Sequence, residues 1–112
     1  MIRNLTRKTI LAKSHTVCSS PFSKALGLMF SHKPRALVFP FSATARISLH
    51  MFFVFFPIDL VFLDSKEIVV EIKENFKPFT FYTSAEQASY VIELPAGTAG
   101  KSLTRLGDKI GL

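Results

Sequence analysis

The chain has few of the residues on which small disulfide- or metal-stabilised proteins depend. Its 112 residues contain one cysteine and no tryptophan. A single cysteine, Cys18, excludes an internal disulfide and a cysteine-based metal cluster, and it fits a reducing compartment such as the cytoplasm. The three histidines, His15, His32 and His50, lie seventeen and eighteen residues apart, without the short paired spacing of a zinc site. We therefore expect no metal and no other cofactor.

The motifs of common catalytic and nucleotide-binding loops are also missing. No G-x-S-x-G, G-x-x-x-x-G-K or G-x-G-x-x-G pattern occurs. The segment GTAGKS, residues Gly97–Ser102, ends like a phosphate-binding loop, but two residues separate its glycines where four are required. We interpret it as a turn and a helix start, whose amides could hold one anion. The sequence favours a protein that is not an enzyme and leaves the question open.

Acidic residues are absent from the first half of the chain. Residues 1–50 contain eight Lys/Arg and no Asp or Glu (+8), whereas residues 51–112 contain six Lys/Arg and eight acids (−2). A basic half can bind nucleic acid or another polyanion, or it can simply form solvated faces that keep the protein soluble. The leading candidates for a polyanion site are His32, Lys33, Arg35 and Arg46. The Phe residues of this half lie in apolar runs and are expected in the core, so that charge alone supports the hypothesis.

No apolar run is suited to crossing a membrane. The longest, Ile47 to Asp64, includes His50, Pro57 and Asp59, and a charge in hydrocarbon costs a few kcal/mol. The run is rich in Phe, Val and Ile, which favour buried strands. Pro57 cannot donate to a sheet, so we predict two core strands, Ile47–Phe55 and Ile58–Asp64, and no membrane span.

The rest of the chain predicts a mainly β (α+β) fold, because short apolar segments alternate with Gly and Pro turns. We expect residues 1–112 to form a single domain, a small antiparallel barrel or sandwich with one or two short helices. The further strands are expected at Lys8–Lys13, Ala36–Phe41, Glu67–Phe76, Tyr90–Leu94 and Asp108–Leu112. Helical segments are expected at Ser20–Gly27, Ser84–Ala88 and Thr98–Arg105.

Several short segments, none specific alone, occur in one order along most of the chain: Gly27–Phe30, Leu37–Phe39 with Phe41, Ile58–Asp64, Pro78, Tyr90–Gly97 and Gly107–Asp108. In this order they resemble one uncharacterised family, the domain of unknown function 192. One departure from many bacterial members is the segment His50–Val54, HMFFV, where they carry Trp-Met-Lys-Asn, and it resembles the archaeal variant. The resemblance implies a compact, mostly β domain with a short helix near its start, and no established activity.

Two polar residues of the central run are the candidates for catalysis. A pair formed by His50 and Asp59 could perform acid–base chemistry. Alternatively, Asp59 accepts backbone amides at the strand junction after Pro57. Glu93 is expected to face away from Ile92 and Leu94, in a structural role beside an Arg or Lys. The function predicted first is a non-catalytic binding or interaction module for a polyanionic ligand, and the alternative is a small enzyme that uses His50 and Asp59.

Overall fold

The described part of the molecule consists of ten strands and one short helix. The computed structural model describes residues 1–18, 35–50 and 56–112, without the side chains of residues 42–44 and 50. The predicted helix Ser20–Gly27 lies outside these residues. The elements are β1 (Ile2–Asn4), β2 (Thr9–Ala12), β3 (Thr16–Val17), β4 (Leu37–Ala45), β5 (Ser48–His50), β6 (Ile58–Leu63), β7 (Val69–Phe76), β8 (Phe81–Thr83), β9 (Ala88–Pro95), α1 (Thr98–Lys101) and β10 (Ile110–Gly111).

A five-stranded sheet in the order β3-β4-β9-β6-β7 forms the centre of the fold. All six residues of β6 are buried, since this strand has neighbours on both sides and layers on both faces. The pairings are antiparallel, except that β3 runs parallel to β4. The prediction of a mainly β fold is confirmed. The predicted pairing was antiparallel throughout, whereas the parallel pair of β3 and β4 makes the central sheet mixed.

Two smaller sheets cover the faces of the central sheet. Strands β5 and β8 cover one face, where Leu49 and Tyr82 pack against a core that contains Phe39, Leu60 and Phe62. The sheet β10-β1-β2 contributes Ile2, Leu11 and Ile110 to the other core. Alternate residues of β6 enter the two cores because side chains of a strand point to opposite faces. The described strands therefore form stacked layers, as in a sandwich.

One end of the central sheet gathers segments that are distant in sequence. Ile58 pairs with both Pro95 and Phe76, and Leu37 pairs with Glu93, two residues before Pro95. We call this end, defined by Leu37, Ile58, Phe76 and Pro95, the Pro95 end. With a spacing of about 4.8 Å between strands, it is about 19 Å wide from β3 to β7.

Two predicted helical segments differ in the structure. Residues 84–87 form a bend, in which the Ser84 hydroxyl accepts the Ile47 amide and donates to the Glu86 carbonyl. The helix predicted at Thr98–Arg105 ends at Lys101. Leu103 has φ of 60°, a left-handed conformation that an α-helix does not contain. Contacts between distant segments determine both differences.

Candidate functional site

An open cleft of about 610 Å³ lies at the Pro95 end. Three segments form it: the connection between β2 and β3, the residues before β4, and the turn from β9 into α1. Each segment is positioned by a sheet, because Thr16 pairs with Leu37 and Leu37 pairs with Glu93. The lining residues are Leu11, Ala12, Lys13, Ser14, His15, Thr16, Arg35, Ala36, Pro95 and Thr98.

The lining of the cleft is basic and rich in hydrogen-bond donors. Lys13 and Arg35 supply positive charge, and Ser14, Thr16 and Thr98 supply hydroxyl groups. The described residues that line the cleft include no Asp or Glu. Converging cations and hydroxyls are the groups with which proteins bind phosphate and carboxylate. The geometry therefore favours an anionic ligand.

His15 provides a polar atom without a partner inside this lining. Its Nδ1 atom is buried, and it neither donates nor accepts a hydrogen bond within the part of the chain that the structure describes. Burial, with a smaller contribution from the positive amino terminus, lowers the pKa of His15. A neutral imidazole can present either a donor or an acceptor to a ligand.

Glu93 is a buried carboxyl group next to the cleft, in register with Leu37 and Leu60. Burial raises its pKa to about 7. Burial also raises the pKa of the free thiol of Cys18, and the charge of Glu93 adds to that effect while Arg35 opposes it. Ile92 and Leu94 belong to the core that faces the sheet β10-β1-β2. Glu93, which lies between them on β9, faces the other side of the strand, as the alternation of side chains predicted. Its pairing with an Arg or Lys stays a prediction.

Asp59 is buried on β6 and accepts three backbone amides. Its Oδ1 accepts the amide of Asn75 at 3.0 Å, and its Oδ2 accepts those of Gly97 and Ala99, each at 3.0 Å. Two amides of the GTAGKS turn, those of Gly97 and Ala99, are therefore already bound by a carboxylate of the protein itself, where an anion was predicted. These bonds favour the structural alternative for Asp59.

Arg46, another predicted site residue, does not line the cleft. Arg46 lies at the opposite end of β4 from Arg35, and its Nε donates to the Ser84 carbonyl at 2.9 Å. His32 and Lys33 lie outside the described residues. His50 pairs with Phe81 through the backbone of β5, and its side chain is not among those described. Its acid–base pairing with Asp59 stays a prediction.

The sequence did not predict that Lys13, His15 and Thr98 line one cleft, although Lys13 and His15 belong to the basic half and Thr98 to the GTAGKS turn. Only the strand order brings these segments together, and the sequence carries no local signal for it. Across the described ranges, no three His, Cys, Asp or Glu residues are grouped so that they could hold a metal ion. Among the same residues, no helix has the length and apolarity needed to span a membrane.

Comparison with known proteins gives one family and one fold. The model of domain of unknown function 192, described as an uncharacterized ACR, matches residues 3–112. A UPF0127 protein of Pyrococcus horikoshii is 38% identical over 96 residues, which cover 84% of this chain and 83% of that protein. A UPF0127 protein of Thermococcus sibiricus is 34% identical over 113 residues, covering 98% and 73%. The archaeal resemblance is thus confirmed at the level of these relatives.

Two solved structures share the fold. A protein of unknown function from Novosphingobium aromaticivorans superposes with a TM-score of 0.81 at 22% identity, covering 88% of this chain and 74% of its own. A protein from Sinorhizobium meliloti, described as a proposed transcription regulator, superposes with a TM-score of 0.79 at 28% identity, covering 85% and 78%. The first likeness shows the fold alone.

Proposed function

On the premise that the chain belongs to the family of domain of unknown function 192, for which no activity is described, we propose that it is a non-catalytic binding module. Its ligand is a polyanion that enters the cleft at the Pro95 end. The observation that carries this proposal is the convergence of Lys13, His15 and Arg35 on a cleft whose described lining has no carboxylate. We also propose that residues 1–112 act as one domain in the cytoplasm, in accord with a free buried Cys18.

The basic residues act in two ways on such a ligand. The net charge of +6 attracts anions from a distance, with an effect that salt screens beyond about 8 Å at physiological ionic strength. Lys13 and Arg35 then donate charge-assisted hydrogen bonds, which are stronger than neutral ones. The hydroxyls of Ser14 and Thr16 add neutral donors, whereas the Thr98 hydroxyl donates to the Pro95 carbonyl at 2.7 Å and can only accept from a ligand. Long-range attraction alone would not select this cleft, whereas these groups do.

The alternative, a small enzyme with His50 and Asp59 as an acid–base pair, has weaker support. Both carboxylate oxygens of Asp59 accept backbone amides. An acceptor already engaged by three donors is poorly placed to take a proton from a substrate. The description of the Sinorhizobium meliloti protein as a regulator also accords better with binding than with catalysis.

An amide chemical-shift titration with pyrophosphate, a compact polyanion, tests the proposal. We expect shifts concentrated at Lys13–Thr16, Ala36 and Thr98, which persist at about 0.15 M salt. Replacement Lys13→Gln should weaken binding about tenfold, the effect of losing one hydrogen bond between charged groups.

The matched control is Lys66→Gln, because Lys66 is exposed in the turn between β6 and β7 at the opposite end of the sheet. This variant has the same change in net charge as Lys13→Gln and should bind pyrophosphate like the original protein. Equal weakening by the two variants, or shifts that disappear at the higher salt, would show that pyrophosphate responds only to the net charge of the protein and does not bind in the cleft.

A further inference from the structure

Two aromatic rings of the segment KPFTFYT, residues 77–83, are exposed. Phe79 is 54% and Phe81 72% exposed. On β8 the neighbouring Tyr82 points into the core, with its ring centroid 5.9 Å from that of Phe62 and 6.1 Å from that of Phe76. Because alternate residues of a strand face opposite sides, Phe81 is directed outward. Phe81 therefore lies on the side of β8 away from the core, and Phe79 is exposed in the turn that precedes β8.

Lysines lie beside these rings. Lys73 and Lys77 line a concavity of about 210 Å³ together with Thr80 and Phe81. The Nζ of Lys73 lies 5.5 Å from the centroid of the Tyr82 ring, a distance at which a cation is attracted to an aromatic face. We call Lys73, Lys77, Phe79 and Phe81 the aromatic surface. The exposed acid on this part of β7 is Glu74.

The aromatic surface begins at the Pro95 end, where the cleft also lies. Phe76, which precedes Lys77, pairs with Ile58, and Ile58 pairs with Pro95. Within the central sheet, two strand spacings, about 10 Å, thus separate the end of β7 from the end of β9 at the cleft. Phe81 lies on β8, in the layer that covers one face of this sheet, so a ligand that contacts both places extends from the cleft around this end.

We propose that the Pro95 end binds single-stranded nucleic acid, with phosphates in the cleft and bases stacked on Phe79 and Phe81. This inference rests on the proposed function and specifies the ligand. Proteins bind single strands by combining cations along the backbone with aromatic rings that accept any base. A duplex fits less well, because its bases are stacked on each other and do not reach exposed rings. The aromatic surface supplies exposed rings, whereas Phe39 of the basic first half is buried in the core.

Fluorescence anisotropy with a labelled oligothymidylate of about ten nucleotides tests this inference. Replacement of Phe81 or Phe79 by Ala should weaken binding about tenfold, the typical effect of losing one stacked base. Phe81→Tyr keeps a ring and should bind within about twofold of the original protein. Leu106→Ala is the control, because Leu106 is equally apolar and 65% exposed but lies outside the aromatic surface.

Two charge variants, one on β7 and one just after this strand, test the electrostatic contribution to oligonucleotide binding. Lys77→Gln should reduce the slope of log affinity against log salt by about 0.7, the value for one phosphate contact with a single strand. Glu74→Gln removes the exposed acid and should strengthen binding. Both residues are exposed, so folding is expected to be unchanged, which circular dichroism checks.

The outcomes separate this inference from the proposed function. Oligonucleotide affinity that is equal in the Phe variants and the original protein, or equal for single strand and duplex, would overturn the nucleic-acid inference. Pyrophosphate shifts at the cleft would then still support the proposed function. If pyrophosphate does not bind while Phe81-dependent oligonucleotide binding persists, the cleft assignment is the part that fails.

Discussion

Glu93 shows how one side chain can make the stability of this small β protein depend on pH. It is buried among apolar residues on β9, and burial raises its pKa from 4.5 to about 7. An acid whose pKa is higher in the folded state binds more protons when folded. Its contribution to stability is therefore complete below about pH 4.5 and is lost as the pH rises through about 7.

The size of this effect can be predicted and measured. A shift of this size corresponds to roughly 3 kcal/mol in the free energy of unfolding. Replacement Glu93→Gln mimics the protonated carboxyl group, so the variant should lie within about 1 kcal/mol of the original protein at pH 5 and exceed its stability by roughly 3 kcal/mol at pH 8. Urea denaturation at the two pH values provides the comparison.

Glu74→Gln serves as the control for this pH dependence, since Glu74 is an exposed carboxyl group on β7 of the same sheet. It should retain the loss of stability between pH 5 and pH 8 that the original protein shows. The same loss in Glu93→Gln would mean that another group produces the pH dependence.

At the scale of elements, Asp59 connects three of them through its carboxylate. It lies on β6, and its amide donors are Asn75 of β7, Gly97 of the turn before α1, and Ala99 of α1. Two of these donors have left-handed backbone, with φ of 52° at Asn75 and 93° at Gly97. A carboxylate with two accepting oxygens satisfies amides on both sides, so Asp59 fixes the path of the chain at the Pro95 end.

Replacement Asp59→Asn should therefore destabilise the protein strongly. The side-chain amide would direct N–H groups at backbone N–H donors, leaving at least one buried donor unsatisfied, and we expect a loss on the order of 3 kcal/mol. Thermal or urea unfolding measures it. Asp64→Asn is the matched comparison, because Asp64 accepts the amides of Lys66 and Ile68 through one oxygen that Asn also has. A loss below about 1 kcal/mol is expected there, and equal losses would contradict the argument.

The sequence predicted the elements whose pattern is set by burial. Strand β6 followed from an apolar run after Pro57, and β9 from a run between two turns. It failed where a distant contact determines local structure, as at Ser84, whose hydroxyl bonds Ile47. The site was less predictable than the fold, because the cleft depends on strand order. The sequence also did not predict the exposure of Phe79 and Phe81, because apolar residues are expected inside. In the structure, the inward direction of Tyr82 shows that its neighbour Phe81 faces outward.

At the scale of the whole molecule, the cleft joins parts of the chain that are far apart in sequence. Lys13 follows the first hairpin, Arg35 precedes β4 and Thr98 begins α1. In an unfolded chain these residues are not close together, so a ligand that needs all of them binds only the folded state. Such a ligand must raise the stability of the entire fold by mass action.

Pyrophosphate should accordingly raise the melting temperature of the protein. At a concentration about 100-fold above its Kd, the stabilisation is about 2.7 kcal/mol, which for a domain of this size corresponds to an increase of roughly 10 °C. Sodium chloride at equal ionic strength is the control for screening of the net charge of +6, since screening acts on all surface charges alike. Lys13→Gln should need about tenfold more pyrophosphate for the same increase. An equal increase with sodium chloride would contradict binding in the cleft, because only reduced repulsion among the basic residues would then be needed to explain it.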